Sequence, residues 1–265
     1  MSSLSPLVAG EAPVGRADEI VQRITEAIHL GLLDDGERLP VEIDLAAQFG
    51  VAPMTVREAL ATLREQALVE TRRGRSGGSF VRRPAGPPVD QLTARLAAMS
   101  ASDLRDLFDE HTAIAGQAAR LAAERAAPYA VRRLFVLTDQ LGSATTLGDR
   151  IRADSRFHIQ VAIASQSARL ARREANLQAE IAGLVWLPVG RQVDIAAHVE
   201  EQHAIATAVA SENADEARRL AEAHIMGQLA RLTEVNLDLT AGATNLDLTA
   251  AAADPDLTAA PGAGA

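Results

Sequence analysis

Asp154, His158, His203 and His224 are the residues whose types and spacing could hold a metal ion. Asp154 and His158 stand four apart in the run DSRFH, so on a helix they lie one turn apart on one face and form a two-ligand clip. His203 shares a helical face with Val199, Ala206 and Ala210, and His224 with Ala217, Leu220 and Gly227, faces apolar enough to point inward. The break at Asn213-Ala214-Asp215 lets these two helices run antiparallel and brings both histidines to one level of a bundle. One carboxylate and three imidazoles suit a divalent cation, Zn, Ni, Mn or Fe, with the choice left open. His198 is five residues from His203, about 140° around a helix, so both cannot face one ion, and His198 is left out of the set.

The elements that must position these ligands are helices. Residues 91–235 are rich in Ala, Leu, Arg and Glu with helical periodicity, which predicts an all-α bundle of about six helices. Pro128, the 142–148 region, Pro188-Val189-Gly190 and Asn213 are its breaks. Ahead of the bundle, Arg83-Pro84-Ala85-Gly86-Pro87-Pro88 cannot sustain a helix, so residues 84–90 are a linker and 16–83 form a separate domain.

That first domain carries a different chemistry. In LPVEIDLAAQFGVAPMTVREALATLREQ, small Ala46, Gly50 and β-branched Val56 let two helices cross closely around a sharp turn. A helix over 42–49 stops at Gly50, and the next starts at Pro53, where a missing N–H costs nothing. Val56, Leu60 and Leu63 recur at helical spacing and face the core, leaving Met54, Thr55, Arg57, Glu58 and Arg64 to solvent or DNA. Two strands around a turn at 72–78 follow, a wing bearing Arg72, Arg73 and Arg75 with Gly77 in its glycine-rich tip. Residues 53–83 hold seven Arg against three Glu in a chain of net charge −9, the asymmetry of a DNA-facing edge. The fold class is therefore mainly α: an N-terminal winged helix-turn-helix with a small β-wing, and a C-terminal helical bundle.

These residues resemble the amino-terminal domain of the GntR family of bacterial transcription factors, over about Arg16 to Arg83. Two positions depart from that pattern: Ile43 stands where an Arg is common, and Ala52-Pro53 where Ser-Arg opens the reading helix. The second half resembles the branch with an all-helical effector domain, the FadR or FCD branch. The resemblance implies that Asp154, His158, His203 and His224 hold a divalent cation and that an organic acid completes its shell. It also draws His111, which stands where an Arg is common, together with Arg152 and Arg191, into the effector pocket, with Trp186 beside them. In DNA binding, the resemblance implies contacts from Thr55, Arg57, Arg64, Arg72, Arg73, Arg75 and Gly77 to a pseudo-palindromic operator read by a homodimer.

The composition bounds the remainder. No apolar run reaches the roughly 18 to 20 residues of a membrane span, and no leader pattern opens the chain, so a cytoplasmic protein is expected. The absence of cysteine excludes disulfides and thiolate metal sites. Residues 1–15 read as a flexible N-terminus. The tail 236–265 repeats NLDLTAGAT, NLDLTAAAA and DPDLTAAPG at a period of nine but lacks the paired glycines and aspartates of a calcium-binding roll, so it is expected to be unstructured. The functional expectation is a repressor relieved by a small molecule at the metal site. A metal-responsive sensor uses the same residues, and a metal-dependent enzyme is a third class that lacks an accompanying base or nucleophile.

Overall fold

The computed structural model describes residues 15–74, 77–83, 86 and 89–252, the side chains of 242–252 excepted. The N-terminal domain consists of α1 (Arg16–His29), α2 (Glu42–Phe49), α3 (Pro53–Glu65), β1 (Val69–Arg72) and β2 (Gly78–Val81). Gly50 takes φ +67 at the end of α2, the left-handed conformation that lets the chain turn within three residues into α3. Ile20, Ile24 and Ile28 of α1 pack with Leu45, Val56, Leu60 and Leu63 in one core. Full burial of such side chains is worth about 1.5–3 kcal/mol each. The strands pair antiparallel with Val69 opposite Val81 and Arg72 opposite Gly78, and an isolated bridge from Arg38 to Phe80 ties the wing to the segment before α2. Arg75, most of the linker and residues 1–14 lie outside the described residues.

The helical domain contains seven helices rather than about six: α4 (Val89–Ala98), α5 (Ala101–Arg125), α6 (Pro128–Gly142), α7 (Leu147–Ala164), α8 (Ala168–Val185), α9 (Ile195–Ala210) and α10 (Ala214–Ala252). The extra divisions come from caps that contain neither Pro nor Gly. Ser100 forms a capping box with Asp103. Gln166 takes φ +57 between α7 and α8, and Ser167 caps α8 by accepting from the Leu170 amide. The long α10 lies along α5, and α7 is enclosed by α5, α6 and α8.

Residues 236–252 are helical, which corrects the expectation of an unstructured tail beginning at Asn236. Asn236 is buried, and its Nδ2 donates to the carbonyls of Leu96 (2.6 Å) and Met99 (3.1 Å) at the end of α4. Leu239, one turn on, packs against the same core. The later part of the repeat, 253–265, lies outside the described residues.

Candidate metal centre and nucleic-acid interface

Five helices of the bundle send polar side chains to one buried level. Asp154 and His158 come from α7, His198 and Gln202 from α9, His224 and Gln228 from α10, His111 from α5, and Glu174 and Gln178 from α8; all are at most 7% exposed. Asp154 is the hub. Its Oδ1 accepts from Gln202 Nε2 at 2.7 Å and meets His198 Nε2 at 3.0 Å and His158 Nε2 at 3.4 Å, while Oδ2 accepts from Trp186 Nε1 at 2.8 Å. The His198 and His158 rings flank that of His224, with centroids at 4.5 and 5.2 Å. One donor atom each from Asp154, His198 and His224 lie within 4.8 Å of one another, and so do donors from His111, His158 and Glu174.

The structure brings together three of the four ligands read from the sequence, Asp154, His158 and His224, and places His203 elsewhere. His203 is exposed on the far side of α9, its ring edge-on to Phe135 at 5.2 Å. His198 occupies the inward position, with Gln202 one turn below it. The opposition between His198 and His203 across α9 holds; the choice between them reverses. Alanines lie on every side of α9, so its apolar pattern does not fix which side is buried, whereas 198, 202, 205 or 206, and 209 form the continuous buried stripe.

Two buried carboxylates, Asp154 and Glu174, are held ionised at this level. Burial disfavours the Asp154 carboxylate, but the charge of His198 and hydrogen bonds from His158 and His198 outweigh it and hold the group well below the usual range. Glu174 behaves in the same way: burial opposes ionisation, and His111, His158 and Gln178 overcome it. His158 is moved up, because Asp154 and Glu174 outweigh its burial. Burial takes His224 down to about 4, against the pull of its bond to Glu201. With Glu201 held ionised, the 2.6 Å contact to His224 Nδ1 places the proton on that nitrogen and leaves the lone pair on Nε2.

The donor set fits a divalent cation. Gln202 Oε1, Gln228 Oε1, Glu174 Oε2 and His111 Nδ1 are all buried without a hydrogen-bond partner among the described residues. Orphaned acceptors around two buried carboxylates are costly in an apolar interior and are what a cation would satisfy. Adjoining His158 and Glu174 is a cavity of about 10 Å³, walled by Phe157, Ala115 and Val161, with room for about one water.

The expected effector residues separate. His111 lies inside the cluster, 3.1 Å from Glu174 Oε1. Arg191 does not: it is 73% exposed and meets Glu234 at the surface. Arg152 faces the N-terminal domain, paired with Asp149 at 2.5 Å and packed on Gly31. Spacing on α7 explains this, since positions 152 and 156 lie on the side of the helix away from 154. Glu174, Gln178 and Gln202 were not singled out by sequence reasoning. Their signal was an i, i+4 pair of polar residues within an otherwise apolar helical face.

In the N-terminal domain, Met54 and Arg57 are exposed on α3, and Thr55 is half-buried. Arg57 is held by Glu42 at 2.9 Å, Arg64 reaches Thr71 Oγ1 at 3.3 Å, and Arg72 lies over the Phe80 ring at 4.3 Å and pairs with Glu70 at 2.7 Å. Arg73 is exposed at the wing. Arg38, Arg57, Arg64 and Gly78 line one groove of about 600 Å³ between α3 and the wing. Arg38 was not foreseen, because it precedes α2 and only the bridge to Phe80 brings it to this face. A Cβ on Gly77 would stand 2.6 Å from the Arg72 carbonyl oxygen, so the wing tip admits no side chain there.

The model for bacterial regulatory proteins of the gntR family matches residues 16–81, and the FCD domain model matches 106–227. The Mycobacterium gastri protein named "Putative HTH-type transcriptional regulator RmpR" is 44% identical over 228 residues, covering 85% of this chain and 83% of its own. An Escherichia coli K12 protein named "Putative L-lactate dehydrogenase operon regulatory protein" is 30% identical over 221 residues, covering 79% and 83%. Among solved structures, E. coli McbR/YncC aligns with TM-score 0.49 at 18% identity, covering 83% of this chain and 98% of that one.

Proposed function

Because the chain belongs to the GntR family of bacterial regulatory proteins and carries an FCD domain, we propose that it is a repressor whose hold on a pseudo-palindromic operator is set at a divalent-metal centre in its helical domain. A homodimer presents two α3 helices to successive major grooves, and an organic acid bound beside the ion that Asp154 and the imidazoles would hold would release them. The observation that carries the reading is the convergence of His158, His198 and His224 on Asp154, with uncompensated lone pairs around them. Asp154 and the three imidazoles would hold the ion, and the bound ion would supply a Lewis-acid contact for a carboxylate. Trp186 and Gln202 orient Asp154, and Glu201 fixes the tautomer of His224.

One observation favours a second reading, in which the cation itself is the signal. The cavity beside His158 is about 10 Å³, and Glu174 on its wall is held ionised, which repels an anion. Operator affinity of the purified full chain, measured with Zn or Ni at controlled free concentration and with or without 2-hydroxy acids, separates the two. An allosteric change of about 5- to 150-fold on adding acid to metal-loaded protein supports the first reading, and the same change on adding metal alone supports the second. Operator affinity indifferent to both overturns regulation from this centre.

A further inference from the structure

The metal-facing helix α7 has a second functional side. Arg152 and Arg156 stand one turn apart on it, turned toward the N-terminal domain, where Arg83 meets them from the end of the wing. Between these three guanidiniums lies a cleft of about 340 Å³, completed by Ser143, Thr145 and Asp149. It is far roomier than the cavity at the metal centre and opens at the N-terminus of α7, whose backbone dipole adds positive potential.

The cations of this cleft are under-compensated. Asp34 Oδ1 serves two of them, Arg83 at 3.2 Å and Arg156 at 3.8 Å, and its own side chain is 64% exposed. Asp149 is engaged by Arg152 and by the Thr146 hydroxyl that caps α7. Among the described residues Arg83 Nε is buried with no partner, while the Arg83 backbone N–H donates to Asp35 at 2.8 Å and fixes that arginine in place. Burial lowers the pKa of Arg156, Asp34 opposes this, and the charges of Arg133, Arg83 and Arg152 lower it further, the mark of crowded like charges.

We propose that this inter-domain cleft is a second ligand site, specific for a phosphate group, which Arg83, Arg152 and Arg156 would bind together. A phosphate dianion supplies Arg83 and Arg156 with more charge and acceptor oxygens than the Asp34 they share, Arg152 being paired with Asp149, and guanidinium forks match its geometry. The volume leaves room for a small body esterified to the phosphate as well as for the free ion. Because Arg83 belongs to the DNA-binding domain and the other two to the effector domain, the ligand bridges the domains and displaces Asp34 as their common partner. That this bridging alters operator affinity rests on the regulator reading above; the binding itself does not.

The test is calorimetric titration of the full chain with inorganic phosphate and, separately, with a hexose phosphate, at constant ionic strength. Saturable binding of either is expected, weakened about tenfold or more in Arg156→Gln and in Arg83→Gln, each of which loses a charge-assisted contact. The double variant Arg57→Ala, Arg64→Ala removes cations from the DNA face and is expected to bind phosphate as the parent does. Tighter binding of the hexose phosphate identifies an esterified metabolite as the ligand, and equal affinities identify the free ion; both support the site. Absence of saturable binding, or unchanged affinity in both cleft variants, overturns it. Zn loading measured on the same variants reports separately on their folding and on the metal centre, so the failure of one site is distinguishable from the failure of the other.

Discussion

Replacing His198 and His203 by alanine, one at a time, tests the geometry of the proposed metal centre, because two histidines five residues apart on α9 face opposite environments. His198 is 6% exposed and stands 3.0 Å from Asp154 Oδ1. Loss of an outer-shell partner costs about 10- to 100-fold in metal affinity, so loss of a ligand should cost at least the upper end, about 100-fold or 2.7 kcal/mol. His203 contributes only its edge contact to Phe135 at 5.2 Å and a 3.4 Å approach to Thr207, at the surface. An aromatic pair of that kind is worth ~0.5–1.5 kcal/mol of stability and nothing to a cation inside the bundle. The chain's single tryptophan is a built-in reporter, since Trp186 donates to Asp154 and lies 5.1 Å from the His198 ring. Zn or Ni titrated against a competing chelator, with Trp186 fluorescence as the signal, should give parent-like affinity for His203→Ala and a collapse for His198→Ala. Full occupancy in His198→Ala together with loss in His203→Ala would refute the placement of α9 and the site built on it.

Four other outcomes follow from particular contacts. Arg57→Ala removes an exposed α3 cation held at 2.9 Å by Glu42, and operator affinity by gel shift should fall by about 1–3 kcal/mol while thermal stability barely changes, the ion pair being at the surface. Gly77→Ala places a Cβ 2.6 Å from the Arg72 oxygen and 2.8 Å from the Gly74 oxygen, so the wing must rearrange and footprinting should lose its minor contacts before those of α3. Asn236→Ala removes the donor that joins α10 to the Leu96 and Met99 carbonyls and should cost about 1–3 kcal/mol in urea unfolding, against no cost if this part of α10 were detached. In chelator-treated protein, His224 with a folded pKa of about 4 lies below the free value, so the unfolded chain takes up more protons between about 4 and 6.5. Its contribution is complete above pH 6.5 and is lost as the pH falls toward 4, by up to about 3 kcal/mol; a flat stability profile over that window would contradict the neutral buried ring.

The legible parts of this chain were those where backbone conformation demands a residue type. Gly50 at φ +67 and Pro53 at the start of α3 bracket the turn, and the aliphatic spacing of Val56, Leu60 and Leu63 matches their complete burial. The DSRFH clip on α7 was legible for a similar reason, since only two residues one turn apart are involved and their separation does not depend on which way the helix faces. On α9 the question was rotational, and an alanine-rich helix offers no large side chain to answer it. There the buried side is set by what Asp154 needs as donors, His198 and Gln202, which is information held by another helix. The cut between α7 and α8 was missed because a non-glycine residue, Gln166, adopts the left-handed conformation there, stabilised by its own bond from Nε2 to the Arg125 carbonyl at 2.6 Å. The continuation of α10 past Val235 was missed because a low-complexity repeat was read by its composition, while one buried asparagine joins it to α4.

The helical domain meets the N-terminal domain by side-chain contacts as well as through the proline-rich linker. The loop after α1 approaches α7 directly: a Cβ on Gly31, at φ +68, would meet the Arg152 side chain at 3.1 Å. Two residues on from Leu32, Asp34 engages both Arg83 of its own domain and Arg156 of α7. The same helix therefore presents Asp154 and His158 to the bundle interior and Arg152 and Arg156 to the reading head. In a close-packed interior a ligand that draws Asp154 toward a cation cannot move it alone, because side chains of one helix turn with their backbone. On the proposed reading, a small rotation of α7 would be felt at its other face as a change in which oxygen Arg156 can reach. A surface ion pair is a weak tie by itself, of order 0–1 kcal/mol, so the coupling has to come from the shared helix and the tight Gly31 contact, with Asp34 as the adjustable member.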